Sequence, residues 1–424
     1  MFDKRKLSNL VEENQAELLD LTAKLLQIPS ENPLGDTTEI TKFIVGYLEK
    51  NQIPVKTYEP DPKRFNILAS IGPDNGKTLI YCGHSDTVPV GDLEKWDFSP
   101  FSGEIKEGYM LGRGASDMKA GLAGLIFSMV LLKRYEVPLA GKLVLAIVPD
   151  EESGGDFGVP WLLDQGLVKG DGCLIAEPSS ELNPTIGQKG SCWFKLTVNG
   201  IPGHGSLSPF LGRSAIVDAV KAIEKICQVT NWEITPPDDL IELLNVSNRY
   251  LELNERSETR GVFEKITCNI GTIHGGTSAN VVADKCVVAV DCRLPFGITN
   301  EEVMTRVRKM LDQLDIDYQI ESFGFKSSAN FTPAEDPICQ AIVENITEVL
   351  DEPAYGVLQW ACSDARHFRE HQIPVLQYGP AELETIHGFN EKVKIEQIIN
   401  CGKVYTLAAV DYFNKVNGGK NEFN

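Results

Sequence analysis

The sequence predicts an α/β fold with a mostly parallel sheet, interrupted by an inserted α+β domain. Three observations point there. Short apolar runs alternate with helical stretches toward both ends of the chain, the middle runs strand-helix-strand-strand-helix-strand, and polar loops bearing histidines and carboxylates follow the apolar runs. At 424 residues the chain has room for two or three domains of roughly 150 residues each.

Taken in order, apolar residues recur at helical spacing over 10–26 and again over 40–48. Residues 78–82 read as a buried strand, 118–132 as an apolar helix, and 143–148 and 173–176 as two further strands. Residues 191–199 alternate as a half-exposed strand does. A helix follows near 214–227, then strands around 265–272 and 286–292, a helix over 300–314 and a strand over 318–325. That order is β-α-β-β-α-β, one sheet layer backed by two helices. It places an inserted domain at 190–327 and builds the core from 1–189 and 328–424, with 375–378 as the last core strand. The polar stretch 229–264 is an insertion without a readable pattern.

Hydrophobic residues at 42% and charged residues at 24% exclude a disordered chain. The formal net charge of -20 argues against nucleic acid or anionic membrane as a partner, because both reward clustered lysine and arginine. The first residues, Met1-Phe2-Asp3-Lys4-Arg5-Lys6, lack the apolar core of a signal peptide. No stretch is expected to reach the ~20 apolar residues of a membrane helix. Ten cysteines show no repeated C-x-x-C spacing, and Cys268, Cys286 and Cys292 lie in strand-like runs. That pattern reads as buried free thiols in a reducing compartment and places the protein in the cytosol.

In open α/β sheets, ligand sites gather beyond the carboxyl ends of the strands. Gly83-His84-Ser85-Asp86 follows the first core strand, Asp150-Glu151-Glu152 the second and Glu177-Pro178 the third. His387-Gly388-Phe389-Asn390-Glu391 comes after the fourth, and Asp117 opens the apolar helix. Singly, each has an ordinary explanation: Asp117 as a helix cap, Glu151-Glu152 as a solvated pair, a lone His84 or His387 as structural. Crowded together, the carboxylates would repel and raise one another's pKa unless cations neutralised them. Two divalent ions balance the charge of three carboxylates and a hydroxide. Imidazole with carboxylate suits zinc and leaves cobalt and manganese open.

The sequence resembles the acetylornithine deacetylase and succinyl-diaminopimelate desuccinylase family, within the aminoacylase and glutamate carboxypeptidase group of two-metal hydrolases. The motifs that carry the resemblance run in family order. They are Gly83-His84-Ser85-Asp86-Thr87-Val88-Pro89, Gly112-Arg113-Gly114-Ala115-Ser116-Asp117-Met118-Lys119, Asp150-Glu151-Glu152-Ser153-Gly154-Gly155, Ala176-Glu177-Pro178, Gly203-His204-Gly205 and His387-Gly388-Phe389-Asn390-Glu391. The resemblance implies a zinc-peptidase-like catalytic domain and a ferredoxin-like lid and dimerisation domain. It implies that Asp117 bridges two metals, that Glu152 and His387 complete one site, and that His84 and Glu177 complete the other. Asp86 would hold the His84 ring. Glu151 would be the general base, taking a proton from the metal-bound water as it attacks and passing it to the leaving amine. His204, otherwise an ordinary loop histidine, would reach the site of the second subunit in a homodimer and stabilise the oxyanion. Asn280 and Arg293 match positions that contact substrate, and a guanidinium can grip a carboxylate through two bonds. A surface or salt-bridged arginine is the alternative.

The chain also departs from the pattern. Gln188-Lys189 stands where desuccinylases carry paired arginines, Trp360-Ala361-Cys362 precedes Ser363-Asp364 where small residues are usual, and Ala283 replaces a proline. These changes leave the metal chemistry intact and count against succinyl-diaminopimelate as the substrate. The expected activity is hydrolysis of the amide bond in a small N-acylated amino acid or related amine, of the deacetylase, desuccinylase or deformylase type. The alternatives are a dipeptidase or carboxypeptidase of the same family, or a non-catalytic binding protein with this fold. A dinucleotide-binding reading of Gly112-x-Gly114 fails, because Asp117 would repel a pyrophosphate at the helix start.

Overall fold

The computed structural model describes residues 3–254 and 257–418. The chain divides into two compact units. The first takes Met1–Ile186, Thr332–Gly356 and Ser363–Asn424, and the second takes Gly187–Phe331 and Val357–Cys362. The short return over Val357–Cys362 has no counterpart in the sequence periodicity.

In the first unit the sheet order is Val55–Asp61, Arg64–Ile71, Gly141–Val148, Lys77–His84, Gly172–Ile175 and Val375–Gln377. The last four of these strands are parallel to one another. The first two strands form an antiparallel hairpin that the sequence did not suggest, and it joins the parallel strands by antiparallel pairing. Its outer strand is largely half-buried or exposed, so it carries no continuous apolar run. The central strands do carry one: Leu79, Ile80, Tyr81 and Cys82 are all buried, as expected when helices cover both faces. Register aligns the strand ends. His84 sits opposite Val148, Cys82 opposite Ile175, and Gln377 opposite Ile175, so the segments after all four strands emerge at one end.

The helix Ala120–Arg134 runs beneath that end, with every residue from Ala120 to Leu132 buried. The stretch Ala115–Arg134 is long and apolar enough to cross a membrane, with mean hydropathy 1.4, contrary to the expectation from sequence. Its apolarity serves the core, because nearly all of it is buried inside the protein. Gly121 lets it approach closely: a Cβ there would collide with the carbonyl of Ala176, next to Glu177. At the N-terminus the single helical pattern resolves into two helices, Lys4–Glu13 and Gln15–Leu26, broken at Asn14. A small sheet of Glu104–Lys106, Tyr109–Leu111 and Lys392–Lys394 ties the segment before Asp117 to the segment after His387.

The second unit has four antiparallel strands in the order Thr267–Gly275, Lys285–Leu294, Gly190–Asn199, Asp317–Ser327. With the helices Ala215–Cys227 and Asn300–Leu311 this is the β-α-β-β-α-β arrangement of a ferredoxin-like layer. Phe194, Leu196, Val198, Val288 and Val290 from the sheet pack with Ala219, Ile226, Val303 and Val307 from the helices. Asn300–Leu311 ends three residues before the expected boundary and starts on a capping box made by Thr299 and Glu302. The insertion contains a helix, Ile241–Leu253, and short 3₁₀ turns. Lys189, fully buried, donates to the carbonyls of Val262 and Lys265 at 2.7 Å each and so fastens the end of the insertion to the start of the unit.

Candidate metal centre

The loops after the aligned strand ends supply the site. His84 closes its strand, Glu151 and Glu152 follow the Gly141–Val148 strand, and Glu177 follows Gly172–Ile175. Asp117 lies in the turn Ala115–Lys119 that opens the apolar helix. That turn is fastened by Glu391, whose carboxylate accepts from the backbone N–H groups of Gly114 (3.1 Å), Ser116 (2.9 Å) and Asp117 (3.1 Å). Arg113 pairs with the same carboxylate at 2.5 Å and also donates to the Gly388 carbonyl at 2.8 Å. One buried ion pair therefore positions both Asp117 and the loop of His387. Neither Arg113 nor Glu391 was assigned a role from sequence. Both stand inside motifs, but no local pattern joins residues so far apart in the chain.

His84 Nε2 lies 3.1 Å from Asp117 Oδ1 and 3.8 Å from Glu177 Oε1. His387 Nε2 lies 3.2 Å from Asp117 Oδ2 and 3.2 Å from Glu152 Oε2. Asp117 thus offers one oxygen to each of two donor sets. Ligand atoms of His84, Asp117 and Glu152 all fall within 4.8 Å of one another, as do those of His84, Glu151 and Glu177. Glu152 Oε1 is buried without a hydrogen-bond partner. A buried carboxylate oxygen left unpaired is costly, and a cation removes that cost. The donors fit two divalent ions that share Asp117.

Asp86 lies against the His84 ring through two of its oxygens. The nearest partner of His84 Nδ1 is the Asp86 backbone carbonyl at 2.9 Å, with the Asp86 carboxylate farther off at 3.4 Å. The carboxylate's Oδ1 is the oxygen that faces His84, while its Oδ2 accepts from Asn32 Nδ2 (2.9 Å) and from the backbone N–H of Glu152 (3.2 Å). A carbonyl only accepts, so Nδ1 carries a proton and Nε2 is the ligand atom of the ring.

The electrostatics show a surplus of negative charge. Burial pushes Glu151 well above the usual carboxylate range, and Glu177 and Asp364 add to it. Burial does the same to Glu177, helped by Asp117. For Asp117 burial works upward, but hydrogen bonds from His387 and His84 outweigh it and hold the carboxyl low. Hydrogen bonds to Asp117 and Glu152 push His387 up to about 10. His84 is raised although burial opposes it, because the carboxylates of Asp117, Asp86 and Glu177 prevail.

His204, Asn280 and Arg293 belong to the second unit. His204 and Asn280 come together there: His204 bridges to Val281, and the Gly205 N–H donates to the Asn280 carbonyl at 2.7 Å. Arg293 is near the far end of the strand that follows, stacked 5.7 Å over Trp193 and paired with Asp291 at 2.9 Å. The strand Lys285–Leu294 separates it from the other two.

Comparison with known proteins extends these observations. The profile of peptidase family M20/M25/M40 matches residues 80–411. The succinyl-diaminopimelate desuccinylase of Ehrlichia ruminantium is 30% identical over 361 residues, covering 82% of this chain and 85% of that protein. An M20 family metallo-carboxypeptidase from Sulfolobus solfataricus superposes with a TM-score of 0.79 at 20% identity, covering 94% of this chain and 99% of that one. A di-peptidase from Saccharomyces cerevisiae does so with a TM-score of 0.79 at 18% identity, covering 97% and 99%.

Proposed function

The chain belongs to peptidase family M20/M25/M40 and is a metal-dependent hydrolase of amide bonds, and from that premise we propose that it cleaves a small N-acylated amino acid with Glu151 as general base. The observation that carries this reading is the placement of Asp117 between His84 and His387, one oxygen toward each, with Glu151 beside His84 and Glu177. His84, Asp117 and Glu177 would hold one ion, and Asp117, Glu152 and His387 the other. Such ions polarise a carbonyl and lower the pKa of a water molecule; zinc is the proposed metal.

The remaining steps belong to the chain. Glu151 is half-buried, and its affinity for a proton is raised, which suits a group that takes a proton and then delivers it to the leaving amine. Asp86 and its carbonyl keep the His84 ring oriented. His204 is exposed, and its Nδ1 accepts from the Ser206 N–H at 3.2 Å, which leaves Nε2–H as an outward donor suited to an oxyanion. We assign Asn280 and Arg293 to substrate binding, although Arg293 is already engaged by Asp291.

A homodimer through the second unit is part of this reading. The strand Thr267–Gly275 is a sheet edge, and Ile216, Val217 and Val220 on the neighbouring helix are exposed. An edge strand and an apolar helix face can both meet their own copies across a two-fold axis. The ten free thiols, seven of them buried, support a cytosolic location.

Lys189 bears on the acyl group. Its ammonium is spent on Val262 and Lys265, which supports a substrate other than succinyl-diaminopimelate. A panel of N-acetyl, N-formyl and N-succinyl amino acids and simple dipeptides, assayed with zinc and with cobalt, tests the proposal. Turnover of acetyl or formyl substrates above dipeptides supports it. Turnover of dipeptides alone replaces it with a dipeptidase, and no turnover by metal-loaded protein removes it.

A further inference from the structure

His387 differs from the other proposed ligands. Its side chain is 52% exposed, against 13% or less for His84, Asp117, Glu152 and Glu177. Its backbone is left-handed, with φ 59°, as is that of Asn390, with φ 58°. Such values are uncommon for residues other than glycine, although asparagine tolerates them. A ligand on an exposed loop binds an ion well only if neighbouring groups order the loop in advance.

The segment 90–98, which follows the His84 motif, supplies that order from within the first unit. Asn390 Nδ2 donates to Asp97 Oδ2 at 2.8 Å, and Asn390 Oδ1 accepts from the Asp97 backbone N–H at 2.8 Å. The two bonds close a ring and fix the orientation of the Asn390 amide. Phe389 meets Trp96 edge-on, with ring centroids 6.2 Å apart. Trp96 is itself held, because its Nε1 donates to the Val90 carbonyl at 2.9 Å and the Arg113 guanidinium lies 5.2 Å over its ring. Three successive residues after His387 therefore have three different anchors: Gly388 has Arg113, Phe389 has Trp96 and Asn390 has Asp97.

We propose that Asp97 is a positioning residue for the metal centre. By holding Asn390 it keeps His387 in place for the ion shared with Asp117 and Glu152, and so sets the affinity for that ion through the loop rather than as a ligand. The inference rests on the reading that His387 holds this ion. Partners that orient a ligand without touching the metal commonly govern affinity in this way.

The test measures zinc affinity directly, by titrating the metal-free full chain in competition with a chromophoric chelator, so no substrate is needed. Asp97→Ala should weaken one of the two ions by roughly ten- to a hundredfold and leave the other within about twofold of wild type. Asp97→Asn keeps an oxygen for Asn390 Nδ2 and removes only the charge, so it should bind both ions nearly as wild type does. Asn390→Gly keeps the left-handed backbone free of strain and loses the amide, so it should match Asp97→Ala. Unchanged affinities in Asp97→Ala, or equal weakening of both ions, would overturn the proposal. Equal losses in Asp97→Asn and Asp97→Ala would also overturn it, because charge and not position would then be responsible. His387→Ala separates the proposal from the reading beneath it. If His387→Ala loses an ion that Asp97→Ala retains, the role of Asp97 alone fails. If His387→Ala retains both ions, the ligand assignment fails and the proposal falls with it.

Discussion

Both units bury charge, and they settle its cost differently. In the second unit the buried charges are closed off from within. Lys189 has two backbone carbonyls, and Asp218 has Arg213 and Lys221. In the first unit some charges are closed in the same way: Arg113 by Glu391, and Lys119 by the carbonyls of Leu25 and Ile28. At the strand ends, however, the pairing stops short. Asp150 Oδ1, Glu152 Oε1 and both oxygens of Asp364 are buried without hydrogen-bond partners. Buried charge alone does not mark a functional site. Several unpaired carboxylate oxygens gathered at one end of the sheet do, because they leave a place for a cation from outside.

The comparison is broken most directly by removing groups from the unfinished end. Glu151→Gln keeps the shape of the side chain and removes the base. Turnover should fall about 10²–10⁴-fold while metal content stays close to two ions per chain. Chelation should abolish turnover until zinc or cobalt is restored. Full activity after verified metal removal would return the strand ends to the class of closed-off charge.

Glu152→Gln should act through the metal instead. One of its oxygens lies 3.2 Å from His387 Nε2 and the other is unpaired, so an amide loses a charged ligand. Metal analysis should show a loss in Glu152→Gln that Glu151→Gln does not share. Equal loss in both would mean that the two glutamates do not have the separate roles assigned to them.

How much of this was legible in the sequence follows the same division. Residues 78–82 and 143–148 were readable as core strands because both faces are covered, so the apolar run is unbroken. The hairpin Val55–Ile71 was not, because its outer strand faces solvent and carries charge among its apolar residues. His84, Asp117, Glu151, Glu152, Glu177 and His387 were visible as polar clusters after apolar runs, and the fold brings all six together. Arg113 and Glu391 were silent because an ion pair between distant residues has no periodic signal. The separate locations of Arg293 and Asn280 depend on strand direction, which spacing does not show.

The second unit is tested by a smaller signal, a partial recovery of activity. If its loop serves the metal centre of the other copy, Glu151→Ala and His204→Ala dimers should each be nearly inactive. A mixed dimer then holds one doubly defective site and one with both residues intact. Random equal mixing makes about half the dimers mixed, so roughly a quarter of all sites should recover. Co-expression with two different tags and assay of the doubly purified species measures this. A mixed dimer as inactive as its parents, or a monomer in solution, ends the proposal.

The smallest expected effect falls on stability alone and tests the closed-off charge of the second unit. Burial pushes Lys189 down to about 7 from its usual 10.5, with Arg293 adding to the shift. The neutral amine still has two N–H groups, and Val262 and Lys265 offer two carbonyls, so losing the proton leaves no acceptor unmatched. Between pH 7 and 10.5 the unfolded chain holds a proton at this lysine that the folded chain has released. Stability from this group therefore rises with pH across that window, and its burial cost is fully present below it. Lys189→Met removes the titration and leaves the two carbonyls unpaired, a penalty that does not vary with pH. Lys119 titrates in the same range, but it is present in both proteins and cancels from their difference. Denaturant unfolding at pH 7 and pH 9 should show wild type gaining on the order of 1 kcal/mol relative to Lys189→Met. Parallel pH dependences would show that Lys189 keeps its charge when folded, and the contrast between the two units would narrow to the metal centre itself.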